Sequence, residues 1–195
     1  GSRLDGGDAS RVLRVNGTGR LTLVDVELAH GVVPAGKGGA LLVEGADASA
    51  TMVGGRIGES AARHGGAAAV NQGGRLVLRG VSVDGCNATV AGGGVAVGAG
   101  EFEMDGGSVT GCVVASEVWN VMGGGVSVAV GSARLSGVAL QGCAATSASR
   151  MVNGGCVGVR SGTLEMVGGS VSACAAASET NSAVGGGVQV NGDVA

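Results

Sequence analysis

The sequence predicts an all-β fold, a right-handed single-stranded parallel β-helix or solenoid, of about six coils of 27 to 31 residues with three short strands per coil. Three observations predict it. A Gly-Gly motif returns at a fixed period, each period holds three stretches of alternating apolar residues, and outward charges at equivalent places in neighbouring periods are opposite in sign.

The motif is a Gly-Gly pair, a small residue and an apolar alternation, and its first glycine falls at Gly38, Gly65, Gly92, Gly123, Gly154 and Gly185, at spacings of 27, 27, 31, 31 and 31. A period in this range marks a repeat that covers its neighbour and is not stable alone. Ser10 to Val15 reads as a degenerate earlier copy, residues 1–9 as an N-terminal tail or cloning scar, and 10–195 as a single β-helix domain. The last coil stops within or just after its first strand, at Val188 to Ala195, so a fragment of a longer repeat protein is expected, with more of its own chain beyond residue 195.

The first strand of each coil is Gly94-Val95-Ala96-Val97 and its echoes at 125–128, 156–159 and 187–190, with two valines facing in and small residues facing out. The second strand turns Leu21/Leu23, Ala50/Met52, Leu76/Leu78, Phe102/Met104, Ala133/Leu135 and Leu164/Met166 inward. Leu28, Ile57, Val83, Val109, Leu140 and Val171 hold the matching place in the third. Short strands between glycine turns, with no helical period, leave no room for a βαβ crossover, and crossover chirality favours the right-handed coil. In-register coils place equivalent residues ~4.8 Å apart, which sets Arg75 beside Glu101, Glu27 beside Arg56, and Arg134 between Glu103 and Glu165.

Composition supports a folded chain and narrows its partners. Glycine supplies 43 of 195 residues, but abundant Val, Leu and Ala without a strict third-residue glycine period argue against both disorder and a collagen-like fibre. The net charge of -3 arises from 12 basic and 15 acidic residues scattered singly, so nucleic acid is not an expected partner. The longest uncharged stretch, Val118 to Ala133, is 16 residues and contains three consecutive glycines, so no transmembrane segment is expected.

Cys86, Cys112, Cys143 and Cys174 recur at the end of the third strand at spacings of 26, 31 and 31, with Ser60 in the preceding coil, and read as a structural cysteine ladder; Cys156 lies elsewhere, in a first strand. Stacked buried thiols are the favoured reading. Disulfides between neighbouring coils fit the expected Cα separation less well in side-chain direction, and a linear stack does not make a tetrahedral zinc cage. No metal and no other cofactor is expected.

The 31-residue coils carry a ten-residue link after the cysteine: Val113 to Met122, Ala144 to Asn153 and Ala175 to Val184. Leaving the same corner of successive coils, they should stack into a shelf, the most individual surface of the protein. Ser116, Ser147 and Ser178 are equivalent, and Glu117 and Glu179 follow two of them, a start signal for a short helical turn. Trp119 and Arg150 share a loop position on adjacent coils, within reach of a cation-π contact. Trp119, Arg150, Glu117 and Glu179 are the candidate partner or ligand contacts; the aromatic serves either to pin the shelf or to anchor a partner.

Parallel β-helices often carry polysaccharide lyases and hydrolases, which need clustered carboxylates or acidic calcium ligands. Here Asp84, Asp105 and Glu59 read as belonging to different rows, and His30 and His64 lie near corners of different coils with no partner at a useful spacing. The Gly-Gly-Gly-Val copies open strands, not helices, so they lack a phosphate-binding helix N-terminus. No catalytic residue is assigned.

The repeat, with Val83-Asp84-Gly85-Cys86-Asn87-Ala88 before Gly92-Gly93-Gly94-Val95 and Val109-Thr110-Gly111-Cys112 before Gly123-Gly124-Gly125-Val126, resembles those of the polymorphic outer membrane protein family. The resemblance runs from about residue 36 onward, without that family's Phe-x-x-Asn motif. It implies a right-handed β-helix passenger of a surface-exposed, adhesin-like protein and transfers no active site. The expected function is a non-catalytic structural or adhesive segment, extracellular or at the cell surface, with a protein or glycan partner. The alternative is a carbohydrate-binding or carbohydrate-processing β-helix using the loops 113–122, 144–153 and 175–184.

Overall fold

A computed structural model of the chain describes residues 1–191. Every regular element among them is a β-strand, every strand pairing is parallel, and the strands stack as a solenoid of about six turns. Val188 to Asn191 of the expected terminal stretch are described; residues 192–195 lie outside.

The first-strand face runs through Leu13–Asn16, Leu41–Glu44, Ala68–Asn71, Val95–Val97, Val126–Val128, Val157–Val159 and Val188–Val190. The second comprises Arg20–Val24, Ser49–Val53, Gly74–Arg79, Gly100–Asp105, Ser132–Ser136 and Thr163–Val167. The third runs from Ser2–Asp5 and Val26–Ala29 through Arg56–Gly58, Ser82–Asp84, Ser108–Thr110 and Ala139–Gln141 to Ser170–Ser172. The register is the one the repeats predict: Val97 pairs with Val128, Leu76 with Phe102, and Val83 with Val109. Ser2–Asp5, read from sequence as tail or cloning scar, pairs with Val26–Ala29 and extends the third face.

The expectation of three strands per coil needs correction, because the links form a fourth face. Val32–Lys37, Ala61–His64 and Asn87–Ala91 pair side by side, and each long link contributes two strands: Val113–Ser116 with Val121–Met122, Ala144–Ser147 with Val152–Asn153, and Ala175–Ser178 with Ala183–Val184. These segments carry little alternation of their own. Their backbones are laid side by side by the strands before and after them, and unpaired backbone groups there would cost more than pairing does.

The Gly-Gly motif has a backbone cause. The first glycine of all six copies adopts φ between 59 and 73°, a left-handed conformation that side chains with a Cβ disfavour. In the first five copies the second is pressed against the next coil: a Cβ on Gly124 would collide with the carbonyl oxygen of Gly155 there, and with that of Ala144 in its own coil. The corner then feeds inward-facing pairs such as Val95/Val97 and Val126/Val128 into one core cluster, which extends from Val15 to Val159 and holds Phe102 at 2% exposure.

Outside, opposite charges meet much as the pattern predicts. Arg75 lies 3.8 Å from Glu101, Arg56 2.8 Å from Glu27, and Arg134 2.7 Å from Glu165. Glu103, expected on Arg134, instead takes the diagonal partner Arg75 at 2.8 Å, since one guanidinium reaches two residues of the neighbouring strand.

Candidate functional site

The three long links stack into a shelf. Val113–Ser116 pairs residue for residue with Ala144–Ser147, and that strand with Ala175–Ser178; beyond the loop tips Val121–Met122 pairs with Val152–Asn153, and that with Ala183–Val184. Beneath the tips lies a second apolar cluster, separate from the solenoid core, made of Ala88, Val114, Val121, Ala145 and Val152 with Ala176 against it. The shelf is a layer with its own core.

The equivalent serines build its turns. Ser116 Oγ accepts from Trp119 N at 3.1 Å, Ser147 Oγ from Arg150 N at 3.1 Å, and Ser178 Oγ from Asn181 N at 3.1 Å. Ser147 Oγ also donates to Trp119 O at 3.2 Å and Ser178 Oγ to Arg150 O at 2.9 Å, so all three hydroxyls cap their own turns and the latter two also tie theirs to the preceding one. This is the bond a helix cap would make, yet the expected helical turn does not form. Strand pairing resumes at Val121 and Val152, so too few residues remain between the strands to repay helix nucleation.

Glu117 and Glu179 face one groove of 560 Å³ between the tips, lined also by the three serines, with Ala148 between the carboxylates. Two coils of stacking set their backbones ~10 Å apart. Trp119 is 50% exposed, and Val118 and Met151 beside it are exposed as well.

The cation over Trp119 is Arg63, 5.0 Å from the ring centroid, and not Arg150 as the spacing suggested. The reason is geometric. Asn87–Ala91, the link between the two residues, is five residues shorter than the Trp119 link, so the indole can reach across it to Ala61–His64. On its other side the Arg150 turn packs against the Trp119 backbone through Ser147.

At the cysteine corner Cys86, Cys112 and Cys143 are buried and free, and each thiol donates to the carbonyl two residues back, at Asp84, Thr110 and Gln141. Ser60 makes the same bond to Gly58 O at 2.9 Å. The hydrogen bond with Cys112, and then burial, push the Cys143 thiol far above its usual range, so it stays protonated. Cys174, read as the fourth member of the ladder, instead forms a disulfide with Cys156 of the same coil, with Cα atoms 5.4 Å apart. That cross-link joins the corner just before a first strand, Val157–Val159, to the corner just after the third strand of the same coil, Ser170–Ser172, not one coil to the next.

Two other predictions change in detail. Asp84 and Glu59, expected in separate rows, converge on Arg56: Asp84 Oδ2 lies 2.7 Å from Nε and Glu59 Oε1 2.8 Å from Nη2, while Asp105 stands apart on the second face. His30 has partners one coil away on each side, Asp5 Oδ2 at 3.0 Å and Glu59 Oε2 at 2.8 Å, because all three occupy one corner of successive coils. Hydrogen bonds to Asp5 first and Glu59 second raise its pKa above the usual imidazole value. His64, half-buried beside Arg63 and Lys37, is pushed the other way, by burial first. Among the described residues no group of three His, Cys, Asp or Glu could hold a metal ion, and no helix is long and apolar enough to cross a membrane.

Fold and shelf together define a parallel β-solenoid with stacked insertions along one corner. Comparison with family models, with curated proteins and with solved structures finds no match.

Proposed function

We propose that this chain is a structural or adhesive solenoid segment of an extracellular or surface-exposed protein, without catalytic activity, and that the shelf is the face it presents. The kinship suggested by the polymorphic outer membrane protein-like repeats is part of this proposal. The observation that carries it is the half-exposed Trp119, flanked by Val118 and Met151 on loops fixed in register over a separate apolar cluster. Aromatic anchors on rigid supports are the usual centres of protein and glycan contacts. The Cys156–Cys174 cross-link adds weight to the compartment, since structural disulfides persist where the surroundings are oxidising.

A second reading has one specific support, the carboxylates of Glu117 and Glu179 on the same groove as the serine row, which suits a polar glycan. One experiment separates the two. The chain and its Trp119→Ala, Arg150→Ala and Glu117→Gln variants are applied to a panel of glycans and matrix proteins, scoring both retention and released reducing ends. Adhesion predicts retention that Trp119→Ala weakens, with no turnover. Release of reducing ends that Glu117→Gln abolishes would establish the glycan-processing reading, and retention indifferent to Trp119→Ala would remove the shelf from the account.

A further inference from the structure

Where the 27-residue coils meet the 31-residue coils, the corner between the first-strand face and the fourth face is interrupted by a notch. Three rows of side chains border that corner. The link-end row runs Lys37, His64, Ala91, Met122 in paired register. The outward row of the first strands runs Ala69, Ala96, Ser127. At the ends of those strands stand Asn71, the last strand residue of its coil, and Gly98 and Ala129. In the middle coil all three rows are small at once, at Ala91, Ala96 and Gly98, and the surface sinks there into a cavity of 240 Å³.

Small residues alone would mean only a dent, but the polar groups around it point to an occupant. Ser127 is 2% exposed, faces outward between the inward valines Val126 and Val128, and its hydroxyl makes no hydrogen bond among the described residues. No fully enclosed side-chain oxygen or nitrogen among those residues lacks a partner, so this hydroxyl has its outlet in the notch it lines. A hydroxyl this deeply set, whose only outlet is the notch, can hydrogen-bond only to what occupies that notch, water or a bound group. Lys37 and the Asn71 amide also line the notch, and no carboxylate does. Glu44, paired with Asn71 one coil away, is engaged by Arg14. Arg63 follows the same corner beside His64, whose imidazole is kept neutral by burial and by the neighbouring cations.

We propose that this notch binds a small organic monocarboxylate with an apolar body, its carboxylate toward Lys37, Asn71 and the Ser127 hydroxyl and its body against Ala96, Val97 and Met122. The cation and donors without an acid select a negative charge. The alanine and valine floor selects against a fully hydrated inorganic anion, which would lose its water without replacement. The volume lies below the range of about 300 to 1,000 Å³ typical of drug-sized ligands, which limits the body to a single small ring or short chain. This site is independent of the shelf reading and goes beyond it.

Benzoate is the probe, with benzyl alcohol as its uncharged match, titrated against the full chain by saturation-transfer NMR and calorimetry. Benzoate is expected to bind, benzyl alcohol to bind at least about tenfold more weakly, and the exposed Lys37→Gln variant to lose about tenfold for benzoate, the scale of one charge-assisted hydrogen bond. Ala96→Leu fills the notch and should abolish binding while amide shifts of distant coils stay unchanged. Absence of benzoate binding, equal binding of benzyl alcohol, or indifference to Lys37→Gln overturns the proposal. The Lys37→Gln arm leaves the packing of the corner intact, so it decides the matter even if Ala96→Leu does not fold.

Discussion

The third residue of the Gly-Gly motif decides which coil is cross-linked, and moving a cysteine to that place should move the cross-link. Cys156 occupies it and bonds Cys174, 18 residues on. Gly125 occupies it one coil earlier, 18 residues before Cys143, and a Cβ built on Gly125 would lie 3.2 Å from Cys143 Sγ. Gly125 is not among the glycines with positive φ, so a side chain is conformationally acceptable there. Gly125→Cys should therefore oxidise with Cys143. Closing a loop of that length removes about 11 cal/mol/K of chain entropy from the unfolded state, or about 3 kcal/mol at 25 °C. Against this, the new Cβ would sit 3.0 Å from Cys156 O, a contact that asks the neighbour to yield by a few tenths of an ångström, so a net gain of about 2 kcal/mol is expected. The equivalent Gly94→Cys, aimed at Cys112, should gain less, because its Cβ would meet Gly125 O at 2.7 Å. Alkylation in non-reducing denaturant followed by intact mass gives the thiol count: the native chain offers Cys86, Cys112 and Cys143, and Gly125→Cys should offer Cys86 and Cys112 alone. Urea melts with and without reductant then give the energy. Four alkylated thiols in the variant would refute the argument, as would a cross-link that leaves the midpoint unmoved.

The core makes a second prediction, since Phe102 is paired between Leu76 and the small Ala133. Phe102→Ala should cost about 3–5 kcal/mol, whereas the swap Phe102→Ala/Ala133→Phe should cost under about 2, because the row keeps its volume; urea denaturation showing simple additivity would sink this packing account. Arg63→Ala should shift the emission of Trp119 while Arg150→Ala leaves it alone, and a double-mutant cycle of Arg63 with Trp119 should return about 0.5–1 kcal/mol; a coupling found for Arg150 instead would contradict the observed contact. His30 gains its carboxylate partners only on folding, so its stabilisation is full below its unfolded pKa of about 6.5 and is lost as the pH rises through the higher folded value. An NMR titration should place the His30 midpoint above that of His64; the reverse order would exclude the His30 bridge.

Much of this architecture could be read from the residues because each coil repeats the same decision. Val95/Val97 and Val126/Val128 fix which side of the first strand faces in, and a slip of one residue would turn all of them out, so register follows from the alternation. The fourth face was not legible, because Ala61–His64 and Asn87–Ala91 are short, small and without alternation, and their pairing is imposed from outside. The partner of Trp119 is hidden from the sequence for a related reason. Loops of equal length, 113–122 and 144–153, invited pairing with each other, but the five missing residues of the link before them open the path to Arg63. The disulfide, by contrast, had a signal in the sequence. Cys156 stands where Gly94 and Gly125 stand in their coils, and each of the three precedes a third-strand cysteine by the same 18 residues, so the cross-linked neighbour could have been read from the alignment of the repeats.

The change of coil length also explains where the distinctive surfaces fall. The chain leaves the ladder after Val114, which pairs with Ala88, and returns at Met122, which pairs with Ala91, so the insertion disturbs neither the core nor the following Gly-Gly corner. Its residues instead close over their own cluster of Val114, Val121, Ala145 and Val152. At the first such coil the shelf has a free flank, and there Trp119 overhangs the shorter links to meet Arg63. The same step places Met122 above the small Ala91 and opens the notch beside Ser127. A solenoid of identical coils would present only repeating rows, each residue facing its equivalent at ~4.8 Å. The mismatch between one coil and the next is what creates concave, singular surroundings, and binding needs such surroundings more than it needs any particular coil.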